Sequence, residues 1–216
     1  MGINLGNLES STPVNSTRTN SSTPSNGISL NLQKNDFLDL TKRNPGLSKI
    51  KLCAGWDPAN IGQPVDLDVA AFVLQNDKLR DGNHVIFFNN MNPLNDSIVL
   101  CSDDRTGASS TGGDDECIDI DLSKIESDVT KIIFTINIFN ADTKRQTFGM
   151  VNNSYVRLLD VSNGEKELCK YELKENFSTE TAVVVAELIR EGNEWTFHTI
   201  GEGKHADLNG LAALYQ

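Results

Sequence analysis

From residue 27 onward, short apolar runs rich in β-branched and aromatic residues alternate with turns rich in glycine, asparagine, aspartate and proline. About eleven such runs follow one another, including "KIKLCAGW" (49–56), "DLDVAAFVL" (66–74) and "KIIFTINIF" (131–139). Runs of this composition between turn residues are typical of β-strands. The pattern predicts an all-β fold, a β-sandwich of two packed, mostly antiparallel sheets with a few short helices.

Three segments depart from the strand pattern. Residues 35–43 and 121–129 have the pattern of short helical turns, and Ser123 would cap the second of them. The C-terminal segment "DLNGLAALYQ" (207–216) predicts a short helix with Asp207 near its N-cap. The stretch "EGNEW" (191–195) predicts a hairpin turn between the last two strands.

Residues 1–26 differ in composition from the rest of the chain. They contain ten serine and threonine residues, five asparagines and only two charged residues. Such a segment buries too little apolar surface to offset the entropy lost on ordering. We expect a flexible N-terminal arm (1–26) followed by one domain (27–216). The arm is either a linker or a segment that orders against a protein partner.

The chain is strongly acidic, with a formal net charge of −11 and a sequence pI of about 4.7. This charge disfavours nucleic acid as a partner, because phosphates are bound by lysine and arginine. No apolar run is long enough to span a bilayer, so no transmembrane segment is expected, and membrane association would depend on partner proteins. The N-terminus lacks the features of a secretory signal, which favours a cytoplasmic location.

The four cysteines, at positions 53, 101, 117 and 169, show no CxxC spacing. Without a secretory signal we expect them to be reduced and mostly buried. Cys101 and Cys117 bracket an acidic loop and would lie on neighbouring strands. A disulfide between these two residues is therefore an alternative that the sequence does not decide.

The most unusual feature is the acidic loop "CSDDRTGASSTGGDDECIDID" (101–121), which carries seven carboxylates and one cation, Arg105. Two further stretches, "GWDPANIGQPVDLD" (55–68) and "FFNNMNPLND" (87–96), place more aspartate and asparagine beside apolar strands. Asp66 and Asp68 are two positions apart and would share one face of a strand. Many oxygen donors on flexible loops favour Ca²⁺, which takes about six to eight oxygen ligands.

Other metals fit this pattern less well. Mg²⁺ demands a strict octahedron, and the chain has no array of histidine or cysteine suited to Zn²⁺. The helix–loop–helix calcium motif of EF-hands is absent, because glycine and the acids stand at the wrong steps. The alternative is a solvated acidic loop that binds no metal.

Several motifs resemble the TerD family, a calcium-binding domain named after bacterial tellurite-resistance operons. They are GWD (55–57) followed by DLD (66–68), NN (89–90), the loop "DDRTGASSTGGDDE" (103–116) and RQTFG (145–149). The likeness runs from about Gly27 to Gly210, in order and without large gaps. It implies a β-sandwich, paired Ca²⁺ sites formed by these segments, and a role in stress response or tellurite resistance.

Carried over to this chain, the resemblance implies one set of metal ligands. They are Asp57, Asp66, Asp68, Asn89, Asn90, Asp103, Asp104, Asp114, Asp115 and Glu116. Two features differ from the family pattern, since the N-terminal arm is an addition and the acidic loop is longer and richer in serine. The second difference affects the ligand geometry more than the set of acids.

The motifs give no indication of catalysis. The three histidines, at positions 84, 198 and 205, are scattered, and no nucleophile elbow, phosphate-binding loop or dinucleotide fingerprint occurs. We therefore expect a non-enzymatic module with about two Ca²⁺ ions as its cofactor. The alternative is a structural subunit that docks through residues 1–26 into a larger assembly, either a membrane-associated complex or a phage-type particle.

Overall fold

The computed structural model describes residues 29–58, 65–101, 113–175 and 177–216 of the chain. The arm over residues 1–26 lies outside the described residues, so its flexibility stays a prediction. Thirteen strands lie within the described ranges: β1 (Leu30–Leu32), β2 (Phe37–Asp39), β3 (Lys49–Pro58), β4 (Leu67–Gln75), β5 (Lys78–Leu79), β6 (Val85–Ile86), β7 (Ile98–Leu100), β8 (Glu116–Asp121), β9 (Lys131–Ile138), β10 (Val151–Asp160), β11 (Lys166–Glu172), β12 (Ala182–Glu191) and β13 (Glu194–Lys204).

The strands form two sheets. Sheet A has six strands in the order β1-β11-β10-β3-β8-β7, and sheet B has seven, in the order β2-β13-β12-β9-β4-β5 with β6 also paired to β4. The pairings are antiparallel except that of β1 with β11, which is parallel. This arrangement confirms the predicted all-β sandwich. The predicted hairpin turn is also present, because Glu191 pairs with Glu194.

The main core lies between the inner faces of the two sheets. Successive side chains of a strand point to opposite faces. Along β3, the alternate residues Ile50, Leu52, Ala54 and Trp56 are therefore turned into the core. The residues between them, including Cys53, face outward from sheet A. Trp195 is buried in the same core.

The outer face of sheet B is also partly covered, in this case by the C-terminal helix. This helix, α3 (Leu208–Ala213), places Leu211 in a second cluster with outward residues of β4, β9 and β12. The cluster comprises Phe72, Leu74, Ile133, Ala182, Val184 and Leu211. Because these strands are covered on both faces, their sequences are nearly continuous apolar runs instead of alternating ones.

The described helices are short. They are α1 (Leu40–Arg43), α2 (Ala141–Lys144) and α3, and none of them has the length and apolar character required to cross a membrane. The predicted C-terminal helix is confirmed with its cap, since the Asp207 carboxylate accepts a hydrogen bond from the Gly210 N–H at 2.8 Å.

The other two predicted helical turns need correction. Asp121 ends β8, and residues 122–129 form a series of turns and no helix, because Asp121 Oδ1 accepts hydrogen bonds from both the N–H and the hydroxyl of Ser123. A side chain that bonds its local backbone in this way competes with helix formation. In the segment 35–43, residues Phe37–Asp39 pair with β13 as a strand, and only Leu40–Arg43 are helical.

The expectation of four reduced cysteines is wrong for two of them. Cys53 of β3 lies opposite Cys117 of β8, and the structure joins them in a disulfide with a Cα–Cα distance of 4.2 Å. Cys101 is free and exposed, and Cys169 is free and buried. The alternative disulfide between Cys101 and Cys117 is therefore not present. The chain spacing between Cys53 and Cys117 gave no sign of their pairing.

The packing of α3 generates a stability prediction. We expect Leu211→Ala to lower the free energy of unfolding by about 2–4 kcal/mol, because Leu211 is fully buried in the second cluster. Urea denaturation measures this change. Leu214→Ala is the matched control at the end of the same helix, since Leu214 is 53% exposed and its truncation should have little effect. Equal losses in the two variants would contradict the docking of α3 on sheet B.

Candidate metal centre

The acidic loop re-enters the fold where β8 begins, and two of its carboxylates are fixed there by backbone amides. Glu116 is only 1% exposed, and its Oε2 accepts the Val69 N–H of β4 at 2.7 Å. Asp115 Oδ2 accepts the Trp56 N–H of β3 at 2.8 Å, while the Asp115 N–H donates to the Ala54 carbonyl at 2.8 Å. These bonds hold two consecutive acids at one end of the sandwich, one against each sheet.

The position of Glu116 follows from the alternation along β8. Ile118 and Ile120 are buried in the main core, so Glu116, at the start of the same row, also points inward. Its carboxylate extends from sheet A to the edge of β4 in sheet B. The contact brings the start of β8 next to the start of β4, where the motif DLD is located.

Asp68 lies on the opposite side of β4 from the main core, whereas Asp66 precedes the strand, so the predicted shared face is not tested. It is 6% exposed, and its Oδ2 lies 3.4 Å from Nδ2 of Asn137, its partner on β9. Asn137 is 4% exposed, and its Oδ1 has no hydrogen-bond partner in the structure. Asp66 precedes β4, and its carboxylate lies 3.6 Å from the Lys144 ammonium of α2.

Asp114 is held on the outer face of sheet A. Arg157 of β10 donates from Nε to both carboxylate oxygens of Asp114, at 2.8 and 3.0 Å, and from Nη1 to Glu167 at 3.1 Å. The hydrogen bond with Asp114 is the main reason that the pKa of Arg157 is raised. The Tyr155 hydroxyl lies 2.5 Å from the Gly113 carbonyl oxygen and 3.0 Å from Asp114 Oδ1. Burial and the neighbouring Asp114 raise the pKa of this phenol.

This corner of sheet A requires a glycine in β3. A Cβ at Gly55 would collide with the Gly113 carbonyl oxygen and with the Tyr155 ring. The GWD motif therefore starts with glycine because the returning loop passes directly over the strand. The close approach also sets the position of Asp114, which follows Gly113.

The remaining described members of the predicted ligand set have other contacts. Asp57 is exposed and accepts a hydrogen bond from Asn153 Nδ2 at 2.6 Å. Asn90 donates from Nδ2 to the Val85 carbonyl at 2.8 Å, which holds the turn after β6. Asn89 is exposed. Asp103 and Asp104 lie outside the described residues, so no contact is assigned to them.

Two features of this region were missed by the sequence analysis. Asn137 is one polar residue inside an apolar strand, and only the strand pairing places it beside Asp68. Among the described residues, the group whose ligand atoms are close enough to hold one metal ion is Cys53, Asp114 and Cys117, all within 4.8 Å of one another. The cysteines come from strands that are far apart in sequence, and the spacing gave no signal for them.

Comparison with known proteins identifies the same family that the sequence motifs resemble. The family model of the TerD domain matches residues 28–215. The "Tellurium resistance protein TerD" of Serratia marcescens is 37% identical over 87% of this chain and 97% of its own length. The "Stress response protein SCP2" of Bacillus subtilis (strain 168) is 35% identical over 82% of this chain and 93% of its own. A crystal structure of a homologue of telluride resistance protein (TerD) from Streptomyces coelicolor A3(2) has a TM-score of 0.64 and 24% identity, covering 77% of this chain and 96% of that chain, and it supports the fold.

The contacts of Arg157 generate a prediction for this region. We expect Arg157→Met to lower the free energy of unfolding by about 1 kcal/mol, because it removes charged hydrogen bonds from partly buried acids. Chemical denaturation measures the change. Arg80→Met is the matched control, since Arg80 pairs with Glu126 and Asp128 at an exposed site. A loss no larger than that of the control would show that Arg157 does not anchor Asp114.

Proposed function

This chain belongs to the TerD domain family, and from that membership we propose that it is a non-enzymatic calcium-binding module of a stress or tellurium-resistance response. Relatives named for stress response and for tellurium resistance match it over most of their length. The observation that carries the calcium part is the hydrogen bond of Glu116 to Val69, which places the start of β8 beside the start of β4, with Glu116 on the core side of β4 and Asp68 on its outer side.

The chemistry of the described acids suits a hard divalent cation. Asp66, Asp68, Asp115 and Glu116 offer only oxygen atoms, which is the ligand chemistry that Ca²⁺ prefers. The backbone amides of Trp56 and Val69 hold one oxygen of Asp115 and one of Glu116, so these carboxylates are oriented before any ion arrives. Asn137 adds a neutral carbonyl oxygen beside Asp68. Asp103 and Asp104 remain predicted ligands from the loop.

Calcium would act in this module as an electrostatic link. Like charges on neighbouring strand ends repel one another, and a bound divalent cation converts that repulsion into attraction. We expect Ca²⁺ to hold the segments that carry the acids together and to stabilise this end of the sandwich. Asp57, Asn89, Asn90 and Asp114 also stay predicted ligands.

The primary test is a calorimetric titration of Ca²⁺ into protein stripped with a chelator, with Mg²⁺ as the control. We expect about two Ca²⁺ ions to bind and Mg²⁺ to give no comparable heat, because Mg²⁺ loses its water reluctantly. The melting temperature should rise with Ca²⁺, since a ligand of the native state stabilises it. Absence of both heat and thermal shift would leave the acidic loop as a solvated segment.

A substitution can separate charge from structure at this site. Glu116→Gln keeps an oxygen that accepts the Val69 N–H, but it removes one negative charge. We expect Ca²⁺ affinity to fall about tenfold or more, while the melting temperature without Ca²⁺ does not fall. Asp128→Asn is the control at an exposed ion pair with Arg80, and its Ca²⁺ affinity should be unchanged. Equal affinities of the Gln variant and the parent protein would exclude Glu116 as a ligand.

The N-terminal arm is the segment through which we expect protein partners to bind. The family match begins at residue 28, and β1 follows at the edge of sheet A, so the arm joins the domain at that edge. We expect removal of residues 1–26 to abolish co-purification of partners and to leave Ca²⁺ binding and melting temperature unchanged. Affinity purification of both chains makes the comparison. Recovery of the same partners by the truncated chain would assign the interface to the domain.

A further inference from the structure

Three of the four cysteines lie in one row across neighbouring strands of sheet A. Cys53 of β3 is opposite Cys117 of β8. Cys101 directly follows β7, and its N–H donates to the Cys117 carbonyl at 2.9 Å, which continues the pairing of β7 with β8. Residues directly opposite one another project to the same side of a sheet. Because Leu52 and Ile118 point into the core, the three cysteines face outward.

Cys53 and Cys117 are the two that the backbone brings closest. The Cys117 carbonyl bonds toward β7, so Cys117 and Cys53 form a non-hydrogen-bonded pair, the type with the shorter Cα separation. Their Cα atoms are 4.2 Å apart, and the structure joins them in a disulfide. Cys117 and Cys101 form the wider, hydrogen-bonded type of pair.

Cys101 differs from this pair in its chemistry as well. The residue is exposed as a whole, but partial burial of its thiol and a hydrogen bond with Asp119 raise the pKa of Cys101 to about 11. The Cys101 thiol also lies outside the close group formed by Cys53, Asp114 and Cys117. This makes Cys101 a natural control for the other two.

Asp114 completes a group of three with the cysteine pair. The Asp114 carboxylate oxygen and the two sulfur atoms all lie within 4.8 Å of one another. Arg157 and Tyr155 hold this carboxylate in place. The donors are the Tyr155 hydroxyl, Arg157 Nε and Arg157 Nη2, and a carboxylate has about four acceptor positions, so about one position is left for a metal. Ligating carboxylates are commonly hydrogen-bonded in this way, which fixes their orientation.

We propose that Cys53 and Cys117, when reduced, form with Asp114 a binding site for a thiophilic divalent cation of the Zn²⁺ type, and that disulfide formation closes this site. A cellular dithiol supplies two electrons and two protons to the disulfide and becomes a disulfide itself. The cation then replaces the two thiol protons, which pass to water. Two sulfurs and one oxygen leave a fourth tetrahedral position for a water molecule.

The proposed site is separate in chemistry from the calcium site. Thiolates select Zn²⁺ and similar metals over Ca²⁺, which takes oxygen ligands. The cysteines face outward from sheet A, whereas Glu116 points inward from the neighbouring position of β8. Asp114 is the one residue of this site that also belongs to the predicted calcium ligands. The two hypotheses can therefore fail independently.

The test uses Co²⁺ as the probe, because thiolate ligation to Co²⁺ gives a charge-transfer absorption in the near ultraviolet. The full chain is reduced with a phosphine, freed of the phosphine without air, and titrated with Co²⁺ and then with competing Zn²⁺. We expect one Co²⁺ per chain with the thiolate absorption, displaced by Zn²⁺. Protein oxidised with glutathione disulfide should show no such absorption.

Variants assign the ligands. We expect Cys117→Ser to weaken Co²⁺ binding at least about a hundredfold and Asp114→Asn about tenfold, with Cys101→Ser unchanged. Thermal unfolding of each variant shows that the domain is folded, and Ca²⁺ titration of each variant tests the calcium hypothesis separately. Should Cys117→Ser fail to fold, Cys53→Ser provides the same test. If neither the parent protein nor any variant binds Ca²⁺ while the reduced parent protein binds Co²⁺, only the calcium hypothesis is rejected.

Three results would overturn the inference. One is the absence of thiolate absorption in the reduced parent protein. Another is loss of Co²⁺ binding in Cys101→Ser with retention in Cys117→Ser, which would place the site on the edge strand. The last is undiminished Co²⁺ binding after oxidation, once mass analysis of alkylated peptides has shown that Cys53 and Cys117 are joined.

Discussion

The alternation of side chains along β8 is the constraint on which both proposed metal sites depend. Ile118 and Ile120 must point into the main core, and a shift by one residue would replace them with Cys117 and Asp119. The register is therefore fixed by apolar burial. Once it is fixed, the carboxyl group of Glu116 has to point inward, where one of its oxygens accepts the backbone N–H of Val69.

Burial of these acids explains why a cation is the expected ligand. Moving a carboxylate out of water costs several kcal/mol, on the order of what a small domain has as its whole stability. The backbone amides of Trp56 and Val69 each donate to one oxygen of these acids and carry no net charge. These hydrogen bonds orient Asp115 and Glu116, and a cation would add the charge that an amide cannot supply.

The sequence was sufficient for those features that depend on local order along the chain. The strand alternation, the turn between β12 and β13, and the Asp207 cap all follow from neighbouring residues. The turn at Asp121 could not be found in this way, because a helical pattern and a side-chain bond to Ser123 compete over the same residues. In that segment the local hydrogen bond prevails over the pattern.

The contacts that define the candidate site depend on strand order, which the residue pattern does not contain. Cys53 and Cys117 are separated by 64 residues and become neighbours only because β3 pairs with β8. Asp114 and Arg157 are 43 positions apart, and Asn137 reaches Asp68 only through the pairing of β9 with β4. The resemblance to TerD proteins supplied the acids, but it did not supply these partners.

Arg157 places a positive charge beside Asp114 on the outer face of sheet A, whereas Glu116 points inward from β8. A calcium site draws most of its affinity from the net negative charge of its ligands. Asp114 already shares the guanidinium of Arg157 with Glu167, so part of its charge is offset before any calcium binds. A thiolate pair brings its own two charges and needs only one further donor. Oxidation removes both of those charges, while Arg157 stays paired with Asp114 and Glu167. The affinity of the outer face of sheet A for a cation would therefore depend on the redox state of Cys53 and Cys117.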